Sequence, residues 1–259
     1  ERNYYVRVVG DGQDSIGQAV NYTGTGTNDV IGIGNGFLSS YSAEASVGDF
    51  PTASVTVEAL NIAFDKGTTG NKLPKVNPVD GTREGTKQYA LPIATGHANE
   101  GLNAGQKYSV VRPGDISMSV ANGGLGVNIA DAKIQSYSLS FDLAREPLQQ
   151  LGNKFAFARE MTFPVTVSLS VDALLGNLDT GDLAAVVSGD STLSDIVISL
   201  KSGGNDWCKY MMKGAKLDGQ SYSTSIGDNK TVTLNFSAQV GSPQQTTVGL
   251  FMSGTGHSA

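Results

Sequence analysis

Apolar and polar residues alternate with a period of two along much of the chain. Val165, Val167, Leu169 and Val171 alternate with Thr166, Ser168, Ser170 and Asp172. Val232, Leu234, Phe236, Ala238 and Val240 alternate with Thr231, Thr233, Asn235, Ser237 and Gln239. Ile116, Met118 and Val120 flank Ser117 and Ser119, and Ile196, Ile198 and Leu200 follow the same rule. Residues 4–9 are strand-like as well. Such alternation puts the apolar set on one face of a strand and the polar set on the other, the pattern of half-buried antiparallel sheet. The polar face consists mostly of Ser and Thr, not Lys and Glu. Hydroxyls cost less to desolvate than charges, so a face of this kind can bury against a partner.

Helical signals are few. Residues 146–152 place Pro147 near a helix start and Gly152 just past its end, which predicts one short helix. Residues 179–187 offer Asp179, Thr180 or Asp182 as caps and Gly189 as a stop, which predicts a second. Between positions 66 and 105 the periodicity dissolves among repeated Gly and Pro. A loop of that length inside a compact domain is usually functional, or disordered in isolation. A long arm ordered by a neighbouring subunit would account for it.

The chain also resembles itself. Ser40-Tyr41-Ser42 recurs as Ser136-Tyr137-Ser138, an offset of 96 residues. Phe50-Pro51 followed by Val57-Glu58-Ala59-Leu60 recurs as Phe163-Pro164 followed by Val171-Asp172-Ala173-Leu174, where the valines are 114 apart. The second copy carries an insertion around 145–161. Two related units, 1–105 with the long loop 66–105 and 106–259, are expected, either as two domains or as one continuous domain with internal pseudo-symmetry. Two copies per chain would let a trimer imitate a hexamer. Glu58 and Asp172 occupy equivalent places on the polar faces of the copied strands, which makes them candidates for an inter-subunit or lumen-facing role.

Composition narrows the picture. Charged residues are 16 % of the chain, against about 25 % in ordinary domains. The 33 glycines are nearly twice the usual share of about 7 %. Few charges and many turns suit a surface covered by neighbours. The net charge of −6 with no basic run removes the electrostatic footprint of a protein that grips phosphates. Cys208 is the only cysteine, so no intrachain disulfide or cysteine-based zinc cluster forms. The longest apolar run is residues 183–187, too short to span a membrane as a helix. The opening Glu1-Arg2-Asn3 is no signal peptide, and the missing initial Met is expected of a trimmed chain.

Sites for chemistry fail on spacing or partners. His97 and His257 lie far apart without a triad signature, and no Gly-x-Ser-x-Gly elbow occurs. Gly10-Asp11-Gly12 has Ser15 where a dinucleotide fingerprint needs its third glycine. Gly32-Ile33-Gly34-Asn35-Gly36 misses the spacing too, and both segments read as turns or bulges. Asp11/Asp14 and Asp179/Asp182 lack the alternating ligands of a calcium loop and read as turns or caps. Glu58 and Asp172 invite a glycosidase pair, but their strand positions favour an interface. Trp207-Cys208 with Tyr210-Met211-Met212 reads as a core or interface patch. No cofactor or metal is expected.

The stretch Ile134-Gln135-Ser136-Tyr137-Ser138-Leu139-Ser140-Phe141-Asp142-Leu143-Ala144-Arg145-Glu146-Pro147-Leu148-Gln149-Gln150-Leu151-Gly152, with Phe157-Ala158-Arg159-Glu160 and Phe163-Pro164-Val165-Thr166-Val167, resembles bacteriophage tail tube proteins. So does the run from Gly214-Ala215-Lys216-Leu217 into 231–240. The resemblance implies a mainly β fold, an antiparallel β-sandwich or barrel of tail-tube type with one or two short helices and a long loop. It implies a virion structural protein and not an enzyme: homo-oligomeric rings, as a hexamer or a pseudo-hexameric trimer, stacked into a conduit for DNA ejection. Strands would continue across subunits into one inner barrel. A long loop, 66–105 or 145–161, would reach the next ring. Partners would be the chain itself, other tail proteins and DNA passing without sequence-specific binding, with no membrane; assembly would occur in the host cytoplasm. The extra N-terminal unit departs from a minimal tube subunit and leaves stoichiometry open. A tail terminator, hub, neck, or capsid decoration or fibre protein is the second reading. A carbohydrate-binding β-sandwich is the third, against which the scattered 7 % of aromatics counts.

Overall fold

The computed structural model describes residues 1–8, 29–65, 73–83, 113–122, 133–174, 193–202, 205–223 and 231–253. Thirteen strands are found among them. These are β1 (Arg2–Val8), β2 (Asp29–Ser46), β3 (Thr52–Glu58), β4 (Asn61–Asp65), β5 (Ile116–Asn122), β6 (Lys133–Asp142) and β7 (Arg145–Leu148). The series continues with β8 (Ala158–Met161), β9 (Val165–Leu174), β10 (Ser194–Ser202), β11 (Asn205–Ser223), β12 (Thr231–Val240) and β13 (Gly249–Ser253). Every pairing is antiparallel.

Two layers form because one strand belongs to both. Residues 216–223 of β11 pair with β12, in a layer ordered β3-β2-β6-β9-β12-β11. Residues 205–215 of β11 pair with β10 and β13, and β10 pairs with β5, making the second layer. The strand turns the corner at Gly214, whose φ of +63° suits glycine and whose absent side chain leaves room for Val248. Its N–H donates to Asp195 Oδ1 at 2.9 Å.

The core fills the space between the layers. Ala43, Leu139, Leu169, Leu234 and Phe236 face Ile196, Ile198, Met212 and Ala215, all buried. The alternation read from the sequence is kept residue by residue, so β9 runs buried-exposed throughout its first half. Each buried Leu or Ile contributes about 1.5–3 kcal/mol. The core also holds phenols. Tyr41 and Tyr210 share a hydrogen bond of 2.6 Å between their hydroxyls, and Tyr41 stacks on Phe141 with ring centroids 5.5 Å apart. Burial pushes the phenols of Tyr41 and Tyr210 upward, and that of Tyr137 to about 12. They therefore stay neutral in any ordinary buffer. Of the Trp207–Met212 patch, Tyr210 and Met212 are core and Cys208 packs partly against it.

Two expectations need correction. The helix expected at 146–152 is instead β7, paired with β8 through Arg145↔Met161, Glu146↔Glu160, Pro147↔Arg159 and Leu148↔Ala158. A helix of about two turns cannot hold itself in water, whereas the hairpin supplies inter-strand bonds. Pro147 is tolerated because this two-stranded sheet is all edge. The expectation that a neighbouring subunit orders the arm does not hold for the described part of 66–105. The described part, 73–83, is a strap tied to its own chain. Arg83 makes a bidentate ion pair with Asp65 at 2.9 and 2.6 Å, and its Nε donates to the Leu73 carbonyl at 2.6 Å. Residues 179–187, expected to be helical, lie outside the described residues, as do Gly10-Asp11-Gly12, Asp14, Asp179, Asp182, His97 and His257. The glycine-rich run 32–36 sits inside β2 as a bulge: Arg2 pairs Gly36 while Tyr4 pairs Ile33.

Leu169 tests this core. Leu169→Ala should lower stability by about 2–5 kcal/mol in urea unfolding followed by far-UV circular dichroism, and Leu169→Lys should prevent folding. A folded, soluble Leu169→Lys protein would place the residue outside the core.

Candidate assembly surface

On the outside of the first layer, the register lines up the polar positions in rows that run across the strands. One row is Ser54–Ser42–Ser140–Ser168–Ser237–Lys216, and the next is Thr52–Glu44–Ser138–Ser170–Asn235. A third is Ser46–Ser136–Asp172–Thr233–Ser221. Six strands at about 4.8 Å spacing make this hydroxyl-rich face roughly 25 Å wide. Its fixed charges within these rows are Glu44 and Asp172 against Lys216, with Asp142 on the same side of β6.

Asp172 sits in the middle of its row. It accepts hydrogen bonds from Ser136 Oγ at 2.7 Å and Thr233 Oγ1 at 2.5 Å, one from each neighbouring strand. With Glu44, Asp49, Phe50, Ser136 and Ser170 it lines a shallow cleft of about 550 Å³ under the β2–β3 turn. Glu58 lies at the far end of the layer. Its carboxylate pairs with the Arg159 guanidinium of β8, clamping the β7–β8 hairpin against the end of β3. Arg145 completes the clamp, donating from Nε to the Leu38 carbonyl at 3.1 Å and lying over the Phe37 ring at 5.4 Å.

The structure does not bring the two carboxylates together. Glu58 is opposite Phe37 and Asp172 is in the row of Ser46, which separates them by roughly 25 Å of strand at about 3.3 Å per residue. Glycosidase chemistry needs roughly 5–10 Å. No group of three or more His, Cys, Asp or Glu is placed to hold a metal among the described residues. Sequence reasoning missed Arg159, Ser136 and Thr233 as partners, because cross-strand neighbours become visible only once register is known.

The layer ends in open edges. Among the described residues β3 pairs only with β2, and residues 216–223 of β11 pair only with β12. The inner side of β3 is also uncovered: Val55 is 54 % exposed and Ala53 is exposed beside it. The alternation of Thr52, Ser54 and Thr56 with Ala53, Val55 and Val57 is that of a half-buried strand, yet on its apolar side only Val57 is partly buried while Ala53 and Val55 stay exposed.

These features define a class, an antiparallel β-sandwich with a broad hydroxyl face and unfinished sheet edges. No family model matches the chain, and no curated protein does. The solved structures it resembles include chains of tail and tail-tube assemblies and the Hcp1 protein of an E. coli pathovar, the last 10 % identical at a TM-score of 0.25 over 54 % of this chain and 97 % of that one. A chain in the tail of an empty gene transfer agent particle is 14 % identical, with a TM-score of 0.37, over 51 % of this chain and 98 % of that one. The SPP1 tail tube chain is 14 % identical at a TM-score of 0.40, over 56 % of this chain and 79 % of that one. A chain of the anti-feeding prophage baseplate is 12 % identical at 0.34, over 54 % and 92 %. Likenesses this distant carry no argument of their own, and the functional reading rests on the chain's geometry.

A double-mutant cycle of Glu58→Gln and Arg159→Gln should return a coupling no larger than about 1 kcal/mol, since Glu58 is half exposed. Thermal unfolding of the four proteins measures it. A coupling of several kcal/mol would make the clamp a requirement for folding and not an attachment of the hairpin.

Proposed function

We propose that the chain is the structural subunit of a bacteriophage-type tail tube, assembling edge to edge into rings that stack into a conduit for DNA. The observation that carries the reading is the six-stranded layer with a hydroxyl face and two open edges at opposite ends. An exposed strand edge recruits another strand unless it is blocked. Joining β3 of one copy to residues 216–223 of β11 in the next satisfies both edges, and repetition around a closed ring leaves none. Every hydroxyl face then lines the same wall, with the second layers on the opposite side.

The wall suits a passive conduit. Ser and Thr rows offer no basic grip on phosphates, and Glu44, Asp142 and Asp172 add repulsion that keeps a polyanion sliding. In this reading Asp172 faces the lumen. Glu58 acts at the interface by holding the β7–β8 hairpin beside the β3 edge. The duplicated units 1–105 and 106–259 contribute the neighbouring hairpins β2–β3 and β6–β9, so a trimer with pseudo-sixfold symmetry and a true hexamer both remain solutions of the same geometry. The particle is a virion tail, its other partners are tail proteins, and the chain performs no catalysis.

Negative-stain microscopy of the purified protein should show rings or tubes with a central hole. A species that stays monomeric by light scattering at high concentration would overturn the proposal, and a glycan-binding monomer would replace it with the carbohydrate-binding reading.

A further inference from the structure

Residues 40–46 of β2 and 136–142 of β6 lie side by side in the first layer, and the ladder between them is its own image. Ser40 pairs with Asp142, and their counterparts 96 residues away, Ser136 and Ser46, pair with each other. Ala43 pairs with Leu139, its own counterpart. A half-turn about an axis through the Ala43–Leu139 pair, perpendicular to the layer, therefore exchanges the two strands. Any antiparallel ladder contains such axes. The copied Ser-Tyr-Ser selects this one, because it carries 40–42 onto 136–138.

The flanking strands obey the same axis. Ser40 and Ser42 of β2 face Thr56 and Ser54 of β3, while Ser136 and Ser138 of β6 face Asp172 and Ser170 of β9. β3 thus falls on β9 with one constant offset of 116 residues. Both ladders also shift register at the same point, between Leu38 and Ser40 and between Ile134 and Ser136. They resume as Leu38↔Val57 and Ile134↔Ala173, with the offsets again 96 and 116. A bulge is a specific local feature, so one shared at the same position ties the two hairpins more closely than shared serines do. The axis leaves the copied Val-Glu-Ala-Leu and Val-Asp-Ala-Leu two residues out of step: Asp172 falls on Thr56, and Glu58 on Leu174.

We infer that the repeated unit of this chain is the hairpin, β2–β3 and β6–β9, copied about a dyad that pierces the layer, and that each chain enters a ring as one repeat and not as two. The inference rests on the tube reading, in which the layer is the wall. The dyad is then radial and reverses the tube axis. Rotation about the tube axis keeps the direction of every strand, whereas β2 and its copy β6 run antiparallel. The two hairpins are therefore not successive steps of a sixfold. The edge-to-edge joint by itself admits a trimer that imitates a hexamer; strand direction rules it out. Three chains would set six hairpins alternately up and down, which is dihedral and not cyclic symmetry.

The parts outside the dyad give the subunit distinct ends. The four strands alone are alike from both ends, so a stack with a direction needs something more. Beyond the bulge, residues 29–36 of β2 run on as a three-stranded ribbon with β1 and β4. The strap closes one face of it, where Asn35 accepts from the Val76 N–H at 2.9 Å and donates to the Val76 carbonyl at 3.1 Å. The other face presents Val6, Ile62 and Phe64, each at least half exposed. β6 carries no such extension among the described residues, since it begins at Lys133, the counterpart of Phe37.

Counting tests the inference. Native mass spectrometry gives the number of chains in a ring, and averaged top views from cryo-electron microscopy give its rotational order. The two numbers should be equal. A ring with half as many chains as its order, such as three chains in a sixfold ring, would overturn the inference and leave the tube reading in place. A map that separates strands at their spacing of about 4.8 Å should show β3-β2-β6-β9 of one chain returning to itself after a half-turn about a radial axis. Hairpins of one chain that superpose by rotation about the tube axis would also overturn it. A protein that forms no rings removes the tube reading, and this inference with it.

Discussion

The structure depends on one constraint, the shared register of β2, β6, β9 and β12. Because side chains alternate with a period of two, a slip of one residue between any two of these strands would carry Leu139, Leu169 or Leu234 into water and bring serines inside. Several buried large side chains would be lost at once, at about 1.5–3 kcal/mol each. Holding the core in place therefore fixes the other side as well. The rows of Ser and Thr are the necessary complement of the rows of Leu and Val, and Asp172 finds both its hydroxyl partners only because this register is kept.

The same long strands leave the sheet unfinished. β11 is stable as a bent strand because both halves have neighbours, but its second half has one on a single side among the described residues. β2 overreaches its core and needs the strap of 73–83, with Asn35 and the Arg83–Asp65 pair, to close one face of the overhang. A soluble monomer normally blunts its edges with lysine, proline or a covering loop. Here the described part of β3 carries Thr, Ser, Ala and Val up to Glu58, and the ribbon presents Ile and Phe. The stability of the single chain and the edges it leaves unpaired among the described residues come from the same strands.

Much of this was legible in the sequence. The alternation located β5, β9, β10 and β12 to within a residue or two and assigned their buried faces correctly. The 146–152 segment was misread because Pro-to-Gly spacing marks helix ends and hairpins alike, and only pairing with residues 158–161 decides between them. The ion pair of Glu58 with Arg159 spans 101 residues, so no local pattern could reveal it. The overhang of β2 was hidden for a similar reason: it shows only once the second layer is seen to end before reaching residues 29–36.

The central claim is that neighbouring copies complete the first layer at its two edges. Hydrogen exchange of individual backbone amides, compared between assembled and dissociated protein, reads this directly. Edge completion predicts that the outward-facing amides of β3 and of residues 216–223 exchange freely in the dissociated chain and become strongly protected in the assembly, while those of β9 are protected in both. Equally fast exchange at both edges in the assembled state would contradict it.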